Sequence, residues 1–130
     1  MNDNSDLSSV LKFVFVFESK EDKARLTAAL NKYKTLVEIS SSGSSNIEIM
    51  PPYITKGSAL QHLCAYLNIA VTNTMPIGDE LNDVSMLSLS RNSITLKSSK
   101  ESVRKAAGHI MDSETSDIVG VAIDKYVLGK

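Results

Sequence analysis

Apolar and polar positions in this chain follow two different rhythms, and the change falls at a pair of prolines. Residues 11–17, Leu-Lys-Phe-Val-Phe-Val-Phe, are rich in aromatic and β-branched side chains and predict a buried strand. Ser19 offers an N-cap with Glu21 and Asp22 in the first turn. Ala24, Leu26, Ala28, Ala29 and Leu30 then give one partly apolar face to a helix reaching about residue 33. Residues 36–40 predict a short strand and the Ser-Ser-Gly-Ser-Ser run at 41–45 a polar turn. Residues 46–50 alternate as a half-buried strand should, with Ile47 and Ile49 on one side and Glu48 on the other. The order is β-α-β-β, the last two strands forming a hairpin. Pro51 and Pro52 donate no backbone hydrogen bond, so no sheet runs through them, and a domain boundary is expected there.

Beyond the prolines, strands and helices alternate strictly. A helix is predicted over Lys56–Leu67, with Leu60, Leu63, Cys64 and Leu67 on one face. A strand over 72–77, a short helix over 81–89 and a strand over 93–96 follow. A helix over 100–107, a strand over His109–Met111 and a final helix over 117–128 complete the pattern. Such alternation implies right-handed crossovers and a mostly parallel sheet, whose sites lie at the carboxyl ends of strands. The expectation is an α/β half over residues 51–130 preceded by an α+β unit over residues 1–50.

Composition narrows the function classes. With 130 residues, 42% hydrophobic and 22% charged, the chain matches globular averages. A formal net charge of −1 and 5% aromatic residues leave neither a basic surface nor a stacking platform for nucleic acid. The longest apolar run, 10–17, contains Lys12 and falls far short of the roughly 20 residues of a membrane helix. Residues 2–6, Asn-Asp-Asn-Ser-Asp, carry no secretory signal pattern, and the single cysteine, Cys64, cannot form an internal disulfide. A cytoplasmic location is therefore expected. His62 and His109 have no partners at zinc spacing.

The candidate chemistry gathers at Met75-Pro76-Ile77-Gly78-Asp79-Glu80-Leu81-Asn82-Asp83. Asp79 falls at the carboxyl end of a predicted strand and Asp83 on the first turn of the next helix, so both carboxylates, with Asn82 between them, face one crevice. Magnesium takes one or two carboxylates and fills its remaining positions with water and substrate phosphate. Acids at a helix start are also common as caps, but three of them exceed what one cap needs. Lys56 sits at the first turn of a helix, the end where the dipole disfavours a cation. An anionic partner such as a carboxylate or phosphate would offset that, and a solvated surface lysine is the plain alternative.

Lys56-Gly57 before a helix, followed by Gly78-Asp79-x-x-Asn82-Asp83-x-x-Met86-Leu87, resembles the Cof-type sugar phosphatases of the haloacid dehalogenase superfamily. The likeness continues through Glu101-Ser102-Val103-Arg104-Lys105-Ala106-Ala107 and Ile118-Val119-Gly120-Val121-Ala122. Upstream, Ile47-Glu48-Ile49-Met50-Pro51-Pro52 resembles the strand leaving the family's cap domain. The resemblance implies the carboxyl-terminal half of a Rossmann-like parallel-sheet core over 51–130, preceded by part of an α+β cap over 1–50. It further implies Asp79 as a Mg2+ ligand, Lys56 as the cation holding nucleophile and phosphoryl oxygens, and Asp83 as the carboxylate orienting that lysine. Asn82 becomes a phosphate contact, and the substrate a small phosphorylated metabolite such as a sugar phosphate.

The family's nucleophile is the first aspartate of an Asp-x-Asp motif, and no such string occurs here. Asp3 and Asp6 follow no strand, and the 11–17 strand runs into Glu18-Ser19-Lys20. Where the family has an Asn-containing turn, this chain reads Leu96-Lys97-Ser98-Ser99. The expectation is a hydrolase fragment that is inactive alone, with a non-catalytic remnant or a binding or regulatory module as the alternative. In the family the missing strand lies beside the one ending at Asp79. An open sheet edge is therefore expected there, available to a homo-oligomer or a complementing chain. A receiver-like or nucleotide-binding domain is disfavoured, because no Gly-x-Gly-x-x-Gly or P-loop string follows a strand.

Overall fold

The computed structural model describes residues 10–112 and 117–129; Asp3 and Asp6 lie outside them. The chain divides into two compact units, Met1–Ile54 and Thr55–Lys130.

In the first unit, strand β1 (Phe13–Val16) leads to helix α1 (Lys20–Leu30), a 3-10 turn over Asn31–Tyr33, strand β2 (Glu38–Ser40) and strand β3 (Asn46–Met50). Ser19 caps α1 as its sequence suggests, its hydroxyl accepting the Asp22 N–H. The sheet is antiparallel in the order β1-β3-β2, with Phe13 opposite Ile49 and Ile39 also opposite Ile49. The central strand carries the burial: Ile47 and Glu48, on opposite faces, are both buried. Glu48 was expected at a polar face. It is instead held by Lys12 Nζ at 3.0 Å and by the Ser42 hydroxyl at 2.6 Å, as a buried carboxylate requires. The 41–45 turn is fastened from α1 by Lys23, whose ammonium donates to Ser41 Oγ and to the carbonyls of Gly43 and Ser44. Strand β1 departs from its reading as buried: all four residues are exposed, because an edge strand gains one neighbour only.

The second unit begins with α2 (Lys56–Leu67), capped by a reciprocal pair in which Thr55 Oγ1 accepts the Ser58 N–H and Ser58 Oγ accepts the Thr55 N–H. A 3-10 turn at Leu81–Asp83 runs into α3 (Val84–Leu87), then β4 (Ile94–Leu96), α4 (Glu101–Ala106), β5 (His109–Met111) and α5 (Ile118–Tyr126). Strands β4 and β5 are parallel, as the alternation predicts. The strand predicted over 72–77 shrinks to one parallel bridge, Ile77 to Ile94, with Ile94 N–H donating to Pro76 O and Gly78 N–H to Ile94 O. Val71–Asn73 coils into a 3-10 turn instead, because the Thr74 hydroxyl bonds back to the Val71 carbonyl. Helix α5 closes over β4 and β5: Ile94, Met111 and Ala122 form the buried cluster, flanked by Met75, Ile77, Ile118 and Val121. Helix α3 is clamped between α2 and α4. These contacts fix the chain on both sides of Gly78, where the candidate residues lie.

Candidate active site

Asp83 is the hub. It ends the 3-10 turn and is only 3% exposed, so its charge needs partners. Its Oδ2 accepts the backbone N–H groups of Asp79 and Glu80, each at 3.0 Å, and its Oδ1 pairs with the Lys56 ammonium. Two amides and one cation therefore satisfy a buried carboxylate, and the same carboxylate ties the start of α2 to the end of the 76–78 segment.

Two glycines make this approach feasible. A Cβ on Gly78 would lie 2.5 Å from Asp83 Cγ, in the space the carboxylate needs. A Cβ on Gly57 would lie 2.5 Å from the Ser85 carbonyl oxygen, and the Gly57 N–H donates to Ser85 Oγ at 3.0 Å. Ser85 thus docks the first turn of α2 onto α3, and Lys56 is delivered to Asp83 by backbone contact on both sides. Spacing in the sequence did not single out Ser85; a hydroxyl on the turn after an acidic cluster carries no signal until α2 is packed against it.

Asp79 is exposed and its carboxylate has no partner among the described residues. Asn82 is half-buried, and its Oδ1 is buried without a hydrogen-bond partner among the described residues, an orphan that calls for a donor. Glu80 shares a capping box with Asp83, its side chain accepting the Asp83 N–H, and its Oε2 lies 3.7 Å from the Lys100 ammonium. The loop after β4 is tied down by side chains: Thr95 and Ser99 share a buried hydroxyl contact at 2.9 Å, and Arg104 donates to the Lys97 and Ser99 carbonyls. These groups were not identified from the sequence either, since they serve the backbone of a loop whose only visible mark was Ser98.

The chemistry of the set is clear. Lys56 is half exposed beyond its pairing with Asp83, so its remaining N–H donors reach solvent at the carboxyl end of the strand segment. No group of three His, Cys, Asp or Glu side chains that could hold a metal exists among the described residues. Both Asp83 oxygens are occupied, which leaves the free Asp79 carboxylate as one hard ligand. That suits an ion such as Mg2+, which keeps several waters and shares one or two carboxylates with a substrate phosphate. A surface cavity of about 490 Å3, lined by Thr72, Ser90, Arg91 and Gly108 among others, lies at the amino ends of β4 and β5, away from this cluster.

A lysine anchored on a buried Asp beside a free strand-end Asp is the arrangement that the Lys56 and Gly78-Asp79 strings anticipate. A family model of haloacid dehalogenase-like hydrolases matches residues 1–123. The chain belongs to the haloacid dehalogenase-like hydrolase family. It is 32% identical over 118 residues to the 5-amino-6-(5-phospho-D-ribitylamino)uracil phosphatase YcsE of Bacillus subtilis, covering 91% of this chain and 47% of that protein. Among solved structures, SMU.1108c from Streptococcus mutans superposes with a TM-score of 0.78 at 27% identity, over 92% of this chain and 45% of that one. A haloacid dehalogenase-like hydrolase from B. subtilis gives 0.73 at 28% identity, over 90% and 40%. The α/β fold is therefore that of a Rossmann-like haloacid dehalogenase core, and YcsE among the relatives is named a phosphatase. The chain spans about half the length of the relatives it matches. No helix among the described residues is long and apolar enough to cross a membrane.

Proposed function

We propose that this chain supplies the carboxyl-terminal half of a magnesium-dependent phosphatase for small phosphorylated metabolites such as sugar phosphates, working in the cytoplasm. The observation that carries the reading is the Lys56–Asp83 pair, held by the Asp79 and Glu80 amides at the end of a strand segment. Lys56 binds a phosphoryl oxygen through the donors it does not spend on Asp83, and its charge counts for more as negative charge grows on the transferring group. Asp83 positions Lys56 and touches no substrate. Asp79 is the carboxylate this chain offers to Mg2+, which when bound would neutralise phosphate charge. Asn82, on the same turn as Asp83, offers its amide nitrogen as a donor to phosphate. Residues 1–50 belong to part of a cap domain and residues 51–130 to half of the core.

Phosphoryl transfer in this family reading also needs an attacking aspartate, and the 130 residues contain no Asp-x-Asp string. The chain by itself binds the phosphate group without hydrolysing it. A complementing chain pairs along the open side of the 76–78 segment, whose described neighbour is β4 alone. The absence of that string also favours a second reading, a binding or regulatory module that keeps the anion pocket and performs no chemistry. Hydrolysis of p-nitrophenyl phosphate with Mg2+ tests the proposal. No turnover above background is expected. Robust turnover that Asp79→Ala abolishes would overturn the claim of incompleteness. Turnover restored by a separately supplied Asp-x-Asp half, and lost again in Lys56→Met, selects the phosphatase-half reading over the binding module.

A further inference from the structure

The proposed half-site uses Asp79 and Asp83 but leaves the acid between them, Glu80, without a task. Glu80 opens the 3-10 turn over Leu81–Asp83. A single turn of that kind has poor hydrogen-bond geometry of its own and depends on what fastens its ends. Here the fastening is reciprocal. The Glu80 side chain accepts the Asp83 N–H, and Asp83 Oδ2 accepts the Glu80 N–H at 3.0 Å. The same Oδ2 accepts the Asp79 N–H at 3.0 Å. Asp79, Glu80 and Asp83 are thus closed into one ring of bonds. The Asp79 side chain is exposed and unpaired among the described residues, so the backbone alone aims it. On the strand side that backbone is fixed by the Gly78 N–H, which donates to the Ile94 carbonyl at 3.2 Å. On the helix side it is fixed by the Glu80 cap.

The Glu80 carboxylate is itself drawn to a fixed point. Its Oε2 lies 3.7 Å from the ammonium of Lys100, the residue before α4. The preceding residue, Ser99, is held through its hydroxyl by Thr95 and through its carbonyl by Arg104. The two side chains of the ion pair are 38% and 62% exposed, so solvent screens the attraction and it adds little strength. It does set the direction in which the carboxylate leans. A carboxylate that accepts an amide and faces an ammonium has less to offer a cation than the free one on Asp79. We infer that Glu80 is a positioning residue for Asp79: its cap bond holds the turn that aims the Asp79 carboxylate at Mg2+, and it touches neither metal nor phosphate. The inference rests on the proposed Mg2+ half-site.

Titration of the full chain with Mg2+ alone, followed through the amide resonances of residues 78–83, tests it. Glu80→Gln and Glu80→Ala remove the same charge, but only glutamine keeps an oxygen able to accept the Asp83 N–H. Glu80→Ala binds Mg2+ about threefold or more weakly than Glu80→Gln, the low end of what a lost cap bond is worth. Glu80→Gln stays within about threefold of the wild type, the loss of one screened charge that is not a ligand. In the metal-free chain, amide exchange in Glu80→Ala accelerates at Asp79 and Glu80, while Ile94 and His109 keep their protection. Equal Mg2+ affinities in the two variants overturn the inference, whether both match the wild type or both fall together. Loss of the whole fold in Glu80→Ala overturns it as well, because the residue is then structural. Those results leave the half-site standing. A wild-type chain whose 78–83 amides do not respond to Mg2+ removes the half-site and the inference with it.

Discussion

Replacing Asp83 separates its two jobs, because its partners differ in exposure. The Asp83 side chain is 5% exposed while that of Lys56 is 49% exposed. A hydrogen bond to a charged group is worth about 1.5–3 kcal/mol, and the two amide bonds are partly buried, so together they contribute roughly 3 kcal/mol at the low end of that range. The ion pair has one half-solvated partner and is discounted to less than about 1 kcal/mol. Asp83→Ala should therefore lower the stability of the second unit by about 3–4 kcal/mol, a large share of the roughly 5–15 kcal/mol typical of a domain. Asp83→Asn keeps an oxygen for the amides, converts charged bonds to neutral ones, and should cost about 1–2 kcal/mol. Lys56→Met should cost less than about 1 kcal/mol. Urea unfolding followed by circular dichroism measures all three. The reasoning is refuted if Lys56→Met is as damaging as Asp83→Ala, or if Asp83→Ala costs less than Asp83→Asn.

Gly78→Ala and Gly57→Ala insert a Cβ where 2.5 Å separates it from Asp83 Cγ or the Ser85 carbonyl; each should cost about 1–3 kcal/mol in urea unfolding. Gly108→Ala drives its Cβ into the Arg91 carbonyl oxygen and should be worse than either, detectable as loss of folded yield. Lys23→Met removes the ammonium that bridges Ser41, Gly43 and Ser44, so amide exchange should accelerate across residues 41–45 while α5 keeps its protection. Ile94→Ala empties a fully buried position in the β4–β5–α5 cluster and should cost about 2–5 kcal/mol.

Much of this fold was legible because its signals are local. The helix over Lys56–Leu67 and the strands at 46–50 and His109–Met111 follow from cap residues and short-range periodicity, and the structure places them at those residues. The 72–77 strand was misjudged because a strand needs neighbours. Its residues are apolar enough, yet only Ile77 finds a partner, and Thr74 takes the backbone into a turn. Strand β1 was misjudged in burial for the same reason, since exposure depends on what lies alongside rather than on the residues themselves. At the site, Lys56, Asp79 and Asp83 stand out by charge type and spacing, and the structure brings them to one carboxylate. Gly57 and Gly78 stand in the same strings, while Ser85, which docks α2 onto α3, is visible only once those helices meet.

In the proposed half-site Lys56 and Asp79 take up phosphate with Mg2+, and Asp83 positions the lysine. Calorimetric titration of inorganic phosphate into the full chain, with and without Mg2+, measures it most directly. Saturable binding that Mg2+ strengthens is expected, lost in Lys56→Met and made Mg2+-insensitive in Asp79→Ala. Phosphate heats that are unchanged in Lys56→Met, or no saturable binding to the wild type at all, would contradict it.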